Sequence, residues 1–495
     1  MAERKTDGRA GILNIAGYSL GEGAGSLISN SINGFALLFY TDALGLPAGL
    51  AGLAMSLAIF WDAVTDPVMG YISDNTRFKF GRRHPYMVAG GILMGICYYF
   101  IWAVPEVFRD SEQQLFWYLV GINILLRTAV TVFVVPYVAL GFEVCTDYQD
   151  RSKLQGIKFA ASMLANFLGP ALAWKFFFAD QGNIKGTSVA ENFDDMATVF
   201  TMVAIGLILL TAVLTRKYMV DSRHIRMPER RGWFGFFKEV WGILSERYPR
   251  ILFSMVTVYI IGVVIVGAVQ MYVYVHFMQL TSDQKVWVHG MGMLSGGMGA
   301  LIAPLISRWL DKKRAVLVGI GASVVSNIFM WTIFITIQLP VDYSVSVGSW
   351  NLPVAVILFT ACQGLFWGGN SILQPISYSM IADVSQIHQH QTGVLRDGSY
   401  SAMLSLVYKV AIALGILISG HIISGIGYRA DLDVQSPIVI TRLMQALCIG
   451  GGTIPFLAGL ILLRYPINKE FMKSITLQDE SIQQGIWADG EDPDE

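Results

Sequence analysis

Twelve apolar stretches, each long enough to cross a bilayer, recur along this chain. A membrane helix needs about 20 mostly apolar residues. The stretches fall at roughly 14–40, 48–72, 85–104, 115–140, 157–178, 197–215, 250–277, 287–308, 314–338, 352–380, 399–424 and 440–464. In hydrocarbon every backbone N–H and C=O must be satisfied without water, which leaves helices or closed barrels. Stretches of this length read as helices. Composition agrees, with 54% hydrophobic and 14% charged residues, where a soluble domain carries about 25% charged. A net charge of -1 gives no sign of a nucleic-acid partner. Cys97, Cys145, Cys362 and Cys448 lie scattered in apolar stretches without disulfide-like or metal-like spacing and read as small hydrophobes. The polar opening MAERKTDGRAG carries no cleavable signal peptide on this reading.

Short loops rich in Lys and Arg stay on the cytoplasmic side. Arg77, Lys79, Arg82 and Arg83 fill the loop between spans two and three, and DKKR at 311–314 joins spans eight and nine. The loops on the other side, such as VPEVFRDSEQQ, are poorer in basic residues. Both termini are therefore expected in the cytoplasm. The basic segment 216–249 divides the chain into two groups of six spans, 1–215 and 250–465, followed by an acidic tail at 466–495. That outline is the one expected of a two-bundle carrier whose substrate site lies between the halves. Within the connector, WFGFFKEVWGIL is amphipathic and reads as lying along the inner membrane surface.

The second span contains WDAVTDPVMG. Asp62 and Asp66 stand four residues apart, on one helix face. An ionised carboxylate inside a membrane costs several kcal/mol, and two on one face repel. A cation between them, a shared proton, or a lysine from another helix removes the difficulty. Carboxylate and hydroxyl oxygens suit a hard cation such as Na⁺, the same carboxylates take H⁺, and Thr65 lies between them in sequence. Lys409, deep in span eleven, is the candidate lysine, and a carrier could use such a bridge as its empty state. Lys158 opens span five, where it either faces the interior or snorkels to the interface. Glu22 sits among Gly21, Gly23 and Gly25, and Arg127 lies inside span four.

These residues carry a likeness. WDAVTDPVMGYISDNTRFKFGRRHPYMVAGG resembles the second-helix signature of the glycoside-pentoside-hexuronide:cation symporters, a branch of the major facilitator superfamily that includes the melibiose permease. FYTDALGL, PYVALGFEVCTDYQDRSKLQG, SMIADV and RDGSYSAMLSLVYK match in order and spacing, so the likeness spans nearly the whole chain. It implies an all-α integral membrane protein of twelve helices in two six-helix bundles, in the inner membrane, monomeric. It implies a cation site at Asp62, Asp66, Thr65 and Thr131, with Lys409 as the coupling lysine and Na⁺ or H⁺ as the ion.

The family's helix-one and helix-four sugar carboxylates fall on Ser26 and Val134, so both are missing here, and Glu22 stands one turn before the first. The residues expected to meet substrate are Glu22, Ser26, Lys158, Tyr137, Asn166, Trp367, Asn370 and Gln374. With the two acids gone and Lys158 kept, a uronide and a neutral glycoside both fit. The resemblance also implies a cytoplasmic gate from Asp74, Arg77, Arg82 and Arg83, with Glu143 and Arg151 in the loop after span four. The expected function is cation-coupled import of a sugar derivative by alternating access. The alternatives are an amphiphile or lysolipid carrier on the same scaffold and a non-transporting sensor. No nucleophile–base pair, metal-ligand cluster or phosphate loop is recognisable, so neither an enzyme nor a cofactor is expected.

Overall fold

The structure is a computed structural model. It describes residues 12–76, 81, 83–144, 148–178, 186–218, 242–347, 350–392, 397–429, 432 and 435–472. Among these, twelve helices of 19 or more residues overlie the twelve apolar stretches. They are α1 (Ile12–Leu38), α2 (Ala48–Asn75), α3 (His84–Trp102), α4 (Glu112–Val144), α5 (Tyr148–Leu172), α6 (Ala190–Leu214), α7 (Arg247–Tyr272), α8 (Ser282–Leu310), α9 (Lys312–Trp331), α10 (Val354–Thr392), α11 (Asp397–Gly425) and α12 (Pro437–Leu463). Nine are long and apolar enough, over their described residues, to cross a membrane. α1 is also long, but Gly, Ser and Asn dilute its apolarity.

Helix ends follow local chemistry. Thr281 caps α8 with a reciprocal pair: its hydroxyl accepts from Gln284 N–H, and the Gln284 amide oxygen accepts from Thr281 N–H. Asp311 caps α9 through Lys312 N–H at 2.6 Å. Pro85 opens α3, where a missing N–H costs nothing. Several helices run past the expected limits: α4 begins at Glu112, α5 at Tyr148 and α6 at Ala190, and α10 continues to Thr392. Apolarity marks the membrane slab, whereas a helix can continue into water on polar residues such as SQIHQHQT. Four helices close in a five-residue π-helical turn, at Phe39–Ala43, Ala173–Phe177, Val273–Phe277 and Thr332–Thr336. A short antiparallel pair, Val345–Val347 with Trp350–Leu352, precedes α10 and was not expected from the sequence. Most of the amphipathic connector and most of the acidic tail lie outside the described residues.

The two halves pack alike. In the first, α1 meets α5 and α6, α2 meets α4, and α3 meets α4 and α6. Adding six to each label gives the second: α7 with α11 and α12, α8 with α10, and α9 with α10 and α12. Across the halves, α2 packs on α11 and α5 on α8, which are again equivalent pairs. This is the repeated-bundle logic that leaves a site between the halves. Cys97, Cys362 and Cys448 are free and buried, and Cys145 lies outside the described residues.

Small residues set how closely helices approach. A Cβ on Gly299 of α8 would come within 2.1 Å of the Gly368 carbonyl oxygen of α10. A Cβ on Gly321 of α9 would meet nothing within 4 Å. Gly299→Ala is therefore expected to lower stability by about 1–3 kcal/mol, the cost of overpacking. Gly321→Ala, in a helix interior, is expected to be neutral or stabilising by up to about 1 kcal/mol. Thermal unfolding of both purified variants in detergent checks the pair.

Candidate cation and substrate site

α2, α4 and α11 bring the central charges together. Thr131 of α4 has its hydroxyl 2.9 Å from Asp62 Oδ1 and 2.8 Å from Asp66 Oδ1. Lys409 of α11 reaches both carboxylates: its Nζ is 3.3 Å from Asp62 Oδ2 and directly against Asp66 Oδ2. The same ammonium lies 3.4 Å from the Asp62 carbonyl oxygen. Thr65 is looser, 3.3 Å from the Thr131 hydroxyl and 3.4 Å from the Asp62 carbonyl. The Asp62 side chain is 8% exposed and Asp66 32%, so one carboxylate is enclosed and the other is accessible. Arg127, one turn before Thr131 on α4, interacts electrostatically with Asp62. A single hydroxyl proton cannot serve both acids fully at once, so Thr131 donates to one of them and accepts from the other only where that acid is protonated.

A second charged group lies on the wall formed by α1, α4 and α5. Lys158 Nζ is 3.0 Å from Glu22 Oε2. The pair stands beside stacked Tyr18 and Tyr137, with the ammonium 5.3 Å from the Tyr137 ring centre. The two tyrosines lock together, since Tyr137 OH donates to the Tyr18 carbonyl and Tyr18 OH to the Tyr137 carbonyl. One turn on, Ser26 and Ser162 share a hydrogen bond of 2.7 Å, and Asn30 donates to the Asn166 carbonyl. Lys158 thus takes an interior ion pair rather than snorkelling.

The other half contributes Trp367, whose indole N–H donates to Gln270 Oε1 at 3.3 Å. Asn370 is buried; its amide N donates to the Phe366 carbonyl, while its side-chain oxygen has no partner among the described residues. Gln374 is exposed. The gate residues are only partly in view. Arg83 is buried and donates to the Ser73 hydroxyl at 2.8 Å. Arg77 and Arg82, and the side chains of Asp74, Glu143 and Arg151, lie outside the described residues. Sequence reasoning missed Gln270, which looks like any polar residue in a long span, and it missed the Glu22–Lys158 pairing. It also missed Asp42, His276 and Tyr428, which form a polar group of their own at the ends of α1, α7 and α11. Asp42 and His276 both occupy π-helical turns at equivalent positions of the two halves, a symmetry that could have flagged them.

A fold of two equivalent helical bundles around charged residues defines a multi-pass membrane carrier with the major facilitator architecture. The chain belongs to the MFS/sugar transport protein family, whose profile matches residues 17–469. It is 24% identical to the putative glycoside/cation symporter YagG of Escherichia coli over 88% of this chain and 87% of that one. It is 27% identical to the sodium-dependent lysophosphatidylcholine symporter 1-B of Danio rerio, over 38% of this chain and 34% of that one. The crystal structure of a point mutant of the nucleoside transporter NupG superposes with a TM-score of 0.63 at 9% identity, covering 91% of this chain and 99% of that one.

The distances rank the two hydroxyls. Thr131→Val, nearly isosteric, removes the short hydroxyl contact to the two carboxylates and is expected to cost about 1–3 kcal/mol. Thr65→Val removes only long contacts and is expected to cost less than half as much. Thermal unfolding in cation-free buffer compares them.

Proposed function

We propose that this carrier is a cation-coupled symporter that imports a sugar, glycoside or uronide-type substrate by alternating access. One observation carries the reading: the ammonium of Lys409 occupies the position between Asp62 and Asp66 where a transported cation would sit. Lys409 already pairs with both acids. An incoming Na⁺ or H⁺ must therefore displace the ammonium, and the site stays compensated through the exchange. Because Lys409 belongs to the opposite half, its withdrawal loosens the α2–α11 seam. Ion binding is thereby tied to rearrangement, and any tightening of substrate binding by the ion is matched by the reverse effect.

For the substrate, the α1–α5 wall offers a paired acid and base, hydroxyls and tyrosine rings. Glu22 neutralises Lys158, so no unmatched cation awaits a carboxylate there. Within the sugar class this favours a neutral, hydroxyl-bearing compound over a uronide. Glu22 takes over as the acid of helix one, and Ser26, Asn166, Trp367, Asn370 and Gln374 supply further hydrogen-bonding and stacking groups. The cytoplasmic gate of Asp74, Arg77, Arg82, Arg83, Glu143 and Arg151, and cytoplasmic termini, complete the reading. A lysolipid substrate has one feature in its favour: Val134 replaces a polar group on the same wall.

Asp66→Asn leaves Lys409 a neutral partner and one fewer charge to exchange. It is expected to abolish gradient-driven accumulation while leaving substrate exchange measurable. Uptake into vesicles under imposed Na⁺ and H⁺ gradients, for a substrate found by thermal-shift screening of neutral glycosides, uronides and lysolipids, makes the measurement. Full gradient-driven accumulation by Asp66→Asn would remove the coupling assignment.

A further inference from the structure

A second inter-bundle contact lies at the far end of α1, away from the cation site. The π-helical turn after α1 places Asp42 against His276 in the matching turn after α7, with Asp42 Oδ2 3.1 Å from His276 Nε2. Tyr428, just past α11, donates to Asp42 Oδ1 and lies 3.0 Å from the same His276 nitrogen. Beside them Thr41 and Tyr272 share a hydrogen bond of 2.7 Å across the halves. The Asp42 and His276 side chains are 3% and 6% exposed. The first half supplies Asp42 and Thr41; the second supplies Tyr272, His276 and Tyr428.

Proton counting shows what holds the group together. Tyr428 has one hydroxyl proton, and it goes to Asp42. The Tyr428 oxygen can then only accept from His276, so His276 Nε2 must carry a proton. Among the described residues, the charged and titratable groups against the imidazole include Asp42 from the turn after α1, Tyr272 from α7 and Tyr428 beyond α11. α12 also packs on this turn, and its Arg442 is spent on the Ile426 carbonyl. Among the described residues, the ion pair of Asp42 is with His276. A buried carboxylate needs such a partner.

We propose that Asp42, His276 and Tyr428 form a proton-sensitive latch that holds the outer ends of the two bundles together. The proposal rests on the alternating-access reading and on the orientation expected from the basic loops. When the outer ends part, water reaches both side chains and the imidazole can exchange its proton with the medium. The imidazolium attracts Asp42 and the neutral ring does so only weakly. Acid therefore favours the closed latch and alkali the open one.

Double electron–electron resonance between spin labels at Gln113 and Asp342 reads the outer gap. Both residues are exposed, and they lie on opposite halves beside this end. The labels are placed on full-length protein whose native cysteines are replaced. His276→Gln and Tyr428→Phe are each expected to raise the long-distance fraction about tenfold, equivalent to about 1.4 kcal/mol. In the unsubstituted latch that fraction is expected to rise as the pH is raised; in His276→Gln it should not respond. An unchanged distance distribution in folded Tyr428→Phe, or a wild-type pH response in His276→Gln, overturns the proposal. These readouts need no substrate, so they stand or fall separately from coupling, which the uptake of Asp66→Asn tests.

Discussion

Charge compensation across a seam is the constraint on which the rest of the structure turns. Asp62 and Asp66 cannot sit on one face of a membrane helix without a positive partner. The partner here is Lys409, and it comes from the other half of the molecule. Had a lysine of the first half supplied the charge, the pair would be a fixture of one bundle. Supplied from α11, it makes the electrostatics of α2 depend on how the two bundles lie together. The surrounding packing fits such a movable contact. A Cβ on Gly420 of α11 would come within 2.4 Å of the Ala48 carbonyl oxygen of α2, so the backbones touch directly. Ser56 adds a hydrogen bond to the Ala413 carbonyl across the same seam. Small residues let backbones meet without interlocked side chains, and such surfaces can separate without repacking a core.

The equivalence of the halves extends this argument. Because α2–α11 and α5–α8 are equivalent seams, the bundles can rock about a site lying between them. α1 and α7 are equivalent too, and each ends in a π-helical turn that carries one member of the Asp42–His276 pair. A π-turn adds a residue to the helical repeat and redirects the side chains that follow, which is a common reason for its use at functional positions.

The sequence was most legible where polarity was expensive. Helices stood out because apolar stretches have few alternatives in lipid, and their ends were misjudged where α5 and α10 continue on polar residues. Asp62, Asp66 and Lys409 stood out because a charge in a span demands a partner, and in the structure they meet, one of the three arrangements the sequence left open. Glu22 and Lys158 were each visible, but their pairing joins residues far apart in sequence, which no local pattern encodes. Asp42, His276 and Tyr428 were invisible for the opposite reason. At helix ends polar residues are ordinary, and only the closure of the two halves buries them. Trp367 was visible, but its partner Gln270 was not, since their contact depends on how α7 meets α10.

On the proposed coupling, the donor set around Lys409 suits more than one kind of ion. Among the described residues, the groups against the ammonium offer oxygen: two carboxylates and the Asp62 carbonyl, with the Thr131 hydroxyl bonded to those carboxylates. Oxygen donors suit hard cations rather than soft transition metals. Thr131 serves either ion by turning its proton. It donates to a carboxylate when the ammonium or a metal cation supplies the positive charge. It accepts when one of the acids is itself protonated. On that proposal, choice between Na⁺ and H⁺ would not reside in the inventory of donors but in how far Asp66, the more accessible acid, closes around an ion once Lys409 withdraws.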